Sequence, residues 1–429
     1  MEKKWSEEIL FLLFLLLPLS IVIGSSISLI NTSLLGIFII YIILSQKKFL
    51  ILKHYSIKVF LLIYIYLLFN SFISLNYEIG LSRNLGFLRL ILLFIAINYL
   101  FYVKEKEIKK YLSLWIIFIL IIVSDIFFEF FTGSNVFGWG AKEIDGILQP
   151  HWTRVVSFFK DEPIAGAYVS GFIFIIFGLM ATRFPRLKFL NVIILFLIFL
   201  SILLTGERSN TLKISCGIVI LFLFADFIKM RSKIILLTFI TTVIILIVIK
   251  SPWLNNRYVG QIYEQVNSKE KRVEFFQNDK YMKLYKSGFE VFKNNILFGV
   301  GNKNYRIEAC NNKKARDIED TRNYVCNTHP HQIYFELLSE HGLIGTAILL
   351  SLIFFLLFKV SKIVVNSKNY LQKGSFIFVI MTFLPILPSG SFFSDFNATI
   401  FWINFSLIFA SNPSTNIFND KTQILNLGR

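Results

Sequence analysis

Apolar residues run through this chain in blocks of about twenty, the length an α-helix needs to cross roughly 30 Å of hydrocarbon. Twelve such blocks predict membrane-spanning helices at 8–25, 28–46, 57–76, 85–103, 111–131, 165–182, 188–205, 210–228, 233–250, 338–358, 373–390 and 396–411. The first follows MEKKW in the manner of an export signal. It lacks a small-residue cleavage site and a second block follows at once, so it reads as a span. The expected fold class is all-α, a polytopic membrane protein. Polar residues collect in two longer segments, 132–164 and 251–330, and the second is large enough to form a small domain. There, aromatics alternate with charge (WLNNRYVGQIYEQ, RVEFFQNDKYMKLYKSGFEVF), and a helix-like run extends from about 280 to 293. The expected organisation is helices one to nine over 1–250, the large loop at 251–330, helices ten to twelve over 331–412 and a tail at 413–429.

Composition agrees with the pattern. Of 429 residues, 55% are hydrophobic and 17% charged, and the mean hydropathy is +0.64, which excludes an ordinary soluble domain. Three cysteines exclude a disulfide scaffold, and no Cys/His cluster has metal-ligand spacing. The formal charge of +17 raises the question of nucleic acid. Topology answers it, because Lys and Arg are retained on the cytoplasmic side of membrane proteins. With both termini inside, the inner segments hold 22 of the 44 cations, among them Lys47, Lys48, Lys104, Arg183, Lys229, Lys359, Lys421 and Arg429. The short outer loops hold only Arg83 and Arg208. No nucleic-acid partner is expected. The large loop, placed outside, is still mildly basic, with 14 Lys+Arg against 9 Asp+Glu.

Ionisable side chains at membrane depth usually face a cavity or a pathway. Four cations stand near the outer ends of spans: Arg89, Arg154, Arg208 and Lys213. Snorkelling to the headgroups accounts for a long cation at a span end, and it competes evenly with a functional role for Arg89 and Lys213. For Arg208 the tight LLTGERSN turn argues otherwise, since it fixes the guanidinium and sets Glu207 beside it as a partner. A fixed fork of donors at headgroup level suits a phosphate or pyrophosphate.

The large loop ends in CNTHPHQIYFELLSEHGLIGTAILL. Pro330 favours a turn or the first helical position, so His331 is expected on the first turn of the tenth span. At 100° per residue, Leu338, Gly342 and Gly345 then share its face and Glu340 points away. Histidine suits general-base work near neutral pH. The chain has five: His54, His151, His329, His331 and His341. A lone histidine at a helix start is more often a cap than a catalyst. Zinc on His329, His331 and His341 is disfavoured by the i,i+2 spacing across a proline.

These segments together resemble the O-antigen ligase and polymerase superfamily, bacterial membrane glycosyltransferases that move glycans from undecaprenyl pyrophosphate. The family pattern His-Asn-x-x-Leu-x-x-Leu-x-Glu-x-Gly-x-x-Gly falls on His331, Gln332, Phe335 to Leu338, Glu340, Gly342 and Gly345, with Gln332 for the asparagine and His329 as a second histidine. KNNILFGVGNKNY resembles the family's glycine turn, ending at Gly301, with Asn295 where proline is common. LTGERSN resembles its Gly-x-Arg-Ser segment, and RVVSFFKDEPIAG, with Arg154 and Glu162, its segment before span six.

The resemblance implies group transfer at the periplasmic face of the bacterial inner membrane, without metal or other cofactor. His331 would take the proton of an attacking hydroxyl and invert the linkage. Arg208 would hold the lipid pyrophosphate, with Glu207, Arg154, Arg272 or Lys280 nearby and Glu340 and Gly301 as further substrate-binding positions. The partners implied are an undecaprenyl-pyrophosphate glycan and an acceptor, either lipid A core for a ligase or the growing glycan for a polymerase. The HPHQ and GERSN features lie closer to the ligase-like branch. In that oxidising compartment Cys310 and Cys326 can close a loop of about 17 residues, worth ~3 kcal/mol in the chain-entropy model. A reading of another class is a secondary transporter, which also places twelve spans with both termini inside. That plan puts its long loop in the cytoplasm between spans six and seven, where this chain has only ATRFPRLK.

Overall fold

The computed structural model describes residues 2–144, 147–149, 154–160, 162–224, 230–314 and 324–419. His151, Lys229, Lys421 and Arg429 lie outside the described residues. Helices dominate. In chain order they are α1 (Glu2–Leu15), α2 (Leu17–Ile23), α3 (Ser25–Ser45), α4 (Tyr55–Phe72), α5 (Tyr77–Gly86), α6 (Leu88–Val103), α7 (Glu105–Tyr111), α8 (Ser113–Thr132), α9 (Ala165–Arg183), α10 (Lys188–Leu204), α11 (Arg208–Leu223) and α12 (Met230–Lys250). The large loop carries α13 (Pro252–Asn255), α14 (Gln261–Val266), α15 (Lys269–Asn278), α16 (Lys280–Asn294) and α17 (Tyr305–Lys314). Then follow α18 (Ile333–Asn366), α19 (Tyr370–Thr382) and α20 (Asp395–Ala410). One antiparallel hairpin, Lys142–Ile144 with Ile147–Gln149, lies between α8 and α9.

Each of the twelve expected blocks falls on a helix, but the helices are unequal. Seven helical stretches among the described residues are long and apolar enough to cross a membrane, and an eighth if α1 and α2, bent by 51°, form one span. The blocks at 188–205, 210–228, 373–390 and 396–411 correspond to α10, α11, α19 and α20, of 17, 16, 13 and 16 residues. At 1.5 Å per residue these fall short of the hydrocarbon thickness. Hydropathy cannot see where a turn or a capping group ends a helix early.

α9 is the hub and is buried almost all round. It meets α8, α10, α19 and α20 at close range because its glycines permit it. A Cβ on Gly178 would stand 2.4 Å from the Leu371 Cα, and one on Gly374 of α19 would stand 2.8 Å from the Phe174 carbonyl. α12, by contrast, exposes Ile234, Ile235, Phe239, Ile245, Leu246 and Ile249.

α18 is broken at Gly342 (φ 64°, ψ −170°). In an unbroken helix the Leu343 and Ile344 N–H groups would pair with the Ser339 and Glu340 carbonyls. Here all four take partners from the turn 296–301. Leu343 N–H donates to Ile296 O at 2.7 Å and Ile344 N–H to Leu297 O at 3.1 Å, while Val300 N–H and Gly301 N–H donate to Ser339 O and Glu340 O at 2.9 Å. The two chains are so close that a Cβ on Gly299 would be 2.4 Å from the Glu340 carbonyl carbon, and one on Gly342 2.4 Å from Leu297. The outer end of α4 braces the same turn, through Leu75 N–H to Val300 O at 3.0 Å and Asn302 N–H to Asn70 Oδ1 at 2.8 Å.

Replacing Gly342 by alanine therefore adds steric conflict to an unfavourable backbone conformation. Gly342→Ala is expected to destabilise the protein by about 2 kcal/mol or more. Gly138→Ala, also at positive φ (81°) but with nothing within 4 Å, isolates the backbone part. Thermal unfolding of the two detergent-solubilised variants checks the difference, and equal melting shifts would contradict it.

Candidate functional site

The turn from α10 to α11 is the first wall of the site. Gly206 has φ 74°, and a Cβ there would stand 2.6 Å from the Trp253 ring. Glu207 is buried, and its carboxylate serves α9 rather than its neighbour Arg208. Oε1 accepts from Gly166 N–H at 2.8 Å, which serves the open N-terminus of α9, and Oε2 accepts from Asn210 Nδ2 of α11 at 2.6 Å. Burial pushes its carboxyl above the ordinary range, and Arg154, Asn210 and the Gly166 and Ala167 amides oppose that. The expected pairing with Arg208 is thus corrected, because the α9 amides lie closer to hand. Arg208 opens α11, partly exposed, and makes no ion pair among the described residues.

A residue that the sequence reading passed over completes this wall. Arg257 sits in a π-helical turn, Asn256–Gly260, a distortion often found at functional sites. Its Nε donates to Gly206 O at 3.1 Å and one terminal nitrogen to Gln261 Oε1 at 3.0 Å. Tyr258 fixes the turn by donating to Leu203 O at 2.9 Å and bonding Thr211 Oγ1 at 2.9 Å. Burial, then the charges of Arg208 and Arg154, hold the Arg257 guanidinium below its ordinary value. Three guanidiniums from three separate elements therefore share one region. Arg272 does not join them and stands exposed on α15. The available clue was an arginine inside the aromatic run WLNNRYVGQIY.

The second wall carries the histidines. His331 lies before α18 and not on its first turn, which corrects the expectation. Gln332 is extended (φ −152°, ψ 130°) and caps the helix by accepting from Phe335 N–H at 3.0 Å, so the helix begins only at Ile333. His331 itself adopts φ 55°, and its carbonyl accepts from Ser389 N–H at 2.8 Å. The expected shared face with Leu338, Gly342 and Gly345 is lost for the same reason and through the break at Gly342.

The His329 and His331 rings lie 3.9 Å apart. Tyr281 meets His331 edge-on at 6.0 Å and lies within electrostatic range of Arg257, so it bridges the two walls. Burial, joined by His329 and Lys280 and opposed by Glu336, lowers His331 to about 4. Burial and Lys303 lower His329 to about 4. Lys280, the exposed first residue of α16, is therefore a neighbour of His331. His341 is elsewhere, fully buried against Tyr66 and Phe393.

Glu340 and Gly301 belong to the scaffold beneath the histidines. The buried Glu340 carboxyl faces the N–H groups of Lys303 and Tyr305 at the start of α17 without closing a hydrogen bond to either. A Cβ on Gly301 would stand 2.0 Å from Ser74 Oγ. Glu336 is the carboxylate that acts on His331. It is fully buried, accepts from Ser391 Oγ at 2.5 Å and Phe392 N–H at 2.9 Å, and lies 3.9 Å from Lys303. Arg89 is occupied by Asp395 at 2.6 Å. Lys213 stands on α11.

Cys310 and Cys326 are joined in a disulfide. On its far side Val325 N–H donates to Ser287 Oγ at 2.9 Å and Tyr324 enters a small core with Val291, Val300, Tyr305 and Ala309. Only a few residues then lead to His329. Alkylation before and after reduction of membrane-extracted protein is expected to find both thiols protected, and the Cys310→Ser/Cys326→Ser variant is expected to be cleaved faster between 310 and 331 by added protease. Two freely alkylated thiols in the native protein would contradict this.

A search of curated proteins finds no match to this chain. The family model for O-antigen ligase matches residues 193–350, a stretch that includes Glu207, Arg208, Arg257, Gly301, His331 and Glu340. That match supports membership in the O-antigen ligase superfamily over those residues.

Proposed function

We propose that this protein is an O-antigen ligase-like glycosyltransferase that moves a glycan from undecaprenyl pyrophosphate to a sugar hydroxyl of lipid A core, at the periplasmic face of the inner membrane. The twelve-span arrangement with both termini in the cytoplasm belongs to this proposal, and the distribution of inner cations supports it. The observation that carries the reading is the meeting of Arg154, Arg208 and Arg257 with the His331 wall across Tyr281. Three guanidiniums against one buried carboxylate leave an excess of fixed positive charge suited to a pyrophosphate.

In the reaction the acceptor oxygen attacks the anomeric carbon as the carbon–oxygen bond to the pyrophosphate breaks. The acceptor proton passes to His331 and the bonding pair leaves with the pyrophosphate, with inversion. The arginines stabilise the charge that develops on the leaving group, an electrostatic effect that is often the largest single contribution to catalysis. Glu336, held by Ser391 and Phe392, offers a counter-charge to the imidazolium. Its fixed position costs no reorganisation during the step.

Expression in a host lacking its own ligase tests the reading. Wild type is expected to attach O-chains to lipid A core on a lipopolysaccharide gel. Arg208→Ala and Arg257→Ala are expected to lose about 10²–10³ in rate, and His331→Ala about 10²–10⁴. Failure of wild type to attach any chain would overturn the ligase reading. A change in ladder length without attachment would point to polymerisation.

The pH dependence has a definite sign. Because His331 is lowered from 6.5 to about 4, it is neutral in the free enzyme at neutral pH. Its contribution to stability is complete above about pH 6.5 and is lost as the pH falls toward 4. The acid limb of kcat/KM is therefore expected below pH 6. A bound pyrophosphate raises the histidine, so the acid limb of kcat is expected at higher pH than that of kcat/KM. Coincident limbs would contradict a base standing beside the donor anion.

A further inference from the structure

α8 is apolar along most of its length, yet its outer half buries two carboxylates one turn apart, Asp125 at 3% and Glu129 at 0% exposure. Acids at membrane depth are costly unless partnered. Neither forms an ion pair among the described residues. Both serve the segment after α8. Glu129 accepts from Val156 N–H at 2.9 Å with one oxygen and from Ser157 N–H at 2.6 Å with the other. Asp125 accepts from Ser157 Oγ at 2.5 Å and from Val136 N–H at 3.1 Å.

Asn135 joins the two ends of the segment. Its Nδ2 donates to Ser157 O at 2.7 Å, and its Oδ1 accepts from Phe137 and Trp139 N–H at 2.9 and 2.8 Å. Gly140 passes so near that a Cβ would stand 2.1 Å from Glu129 Oε1. Val155 and Val156 are buried, and Ser157 holds φ 49°. The residue that precedes this locked stretch is Arg154, which lies within electrostatic range of both Glu207 and Arg257.

We propose that Asp125 and Glu129 are positioning residues of the donor site: they hold the 155–157 backbone so that Arg154 stands with Arg208 and Arg257, and so set pyrophosphate affinity without touching it. This rests on the reading of the three arginines as a pyrophosphate clamp. α8 lies outside the stretch matched by the family model. The chemistry explains why a carboxylate is used. Two successive backbone N–H groups require two acceptor oxygens, whereas an amide offers one and presents a donor to the other N–H.

The test is binding of undecaprenyl pyrophosphate to the full-length protein in lipid nanodiscs. Glu129→Gln and Arg154→Ala are each expected to weaken binding about tenfold, the loss of one charge-assisted contact. The Glu129→Gln/Arg154→Ala double variant is expected to bind like Arg154→Ala alone, while Glu129→Gln combined with Arg208→Ala gives the product of the two effects. Ser157→Ala removes only the Asp125 contact and is expected to weaken binding severalfold, which keeps the proposal testable if Glu129→Gln does not fold. Wild-type binding by Glu129→Gln and Ser157→Ala beside a weakened Arg154→Ala would overturn it. So would multiplication of the Glu129→Gln and Arg154→Ala effects. If Arg154→Ala and Arg208→Ala themselves bind as tightly as wild type, the clamp reading has failed, and this inference fails with it.

Discussion

A helix that breaks at membrane depth must find partners for the backbone groups it releases, because lipid provides none. In α18 that requirement falls at Gly342, and the turn 296–301 meets it group for group. Ile296, Leu297, Leu343 and Ile344 remain exposed on the outside of this junction, and α18 is long and apolar enough to cross a membrane. Unpaired amides there would cost several kcal/mol. The exchange therefore ties the end of the large loop to the helix that follows it. The histidine wall, Lys303 and the start of α17 all depend on that attachment. Glycines at 299, 301 and 342 are needed because the two backbones and Ser74 approach more closely than a Cβ permits.

Electrostatics organises the other wall by a related rule. Buried carboxylates in this protein are used mainly to bind backbone amides. Glu207 holds the start of α9, Glu129 the 155–157 segment and Glu336 the 391–392 turn. The acids are thereby withdrawn from the arginines. Among the described residues Arg208 makes no ion pair, and Arg257 donates to two neutral oxygens. Burial first, and then the like charges of Arg208 and Arg154, lower Arg257. On the histidine wall burial first, then Lys303 beside His329 and Lys280 beside His331, lowers both histidines.

Much of the architecture was legible in the residues because hydrophobic length is a local property. All twelve apolar blocks fall on helices, and the run at 280–293 is α16. The glycine turn and the Glu-x-Gly-x-x-Gly segment were visible as separate motifs, but nothing local revealed that they are halves of one hydrogen-bonded junction. His331 was placed wrongly by one feature, since Pro330 signals a helix start and Gln332 takes the cap two residues later. Arg272 was favoured over Arg257 because it is the arginine nearer in sequence to the helix at 280–293 that leads into the glycine turn. Proximity to Arg208 is decided by Trp253 packing on Gly206, a contact between residues far apart in sequence.

The sequence by itself determined that the chain carries helices apolar enough for a membrane, which segments are helical, and that GERSN and HPHQ are distinct polar motifs between them, because hydropathy and motif spacing are carried by neighbours along the chain. Tertiary structure alone decided which charges meet. Glu207 turned to α9, Arg257 came to Arg208, and Asp125 and Glu129 took hold of the Arg154 segment. The physical reason is that a buried polar group is governed by whichever donors or acceptors packing brings within about 3 Å, and that depends on how helices remote in sequence come together.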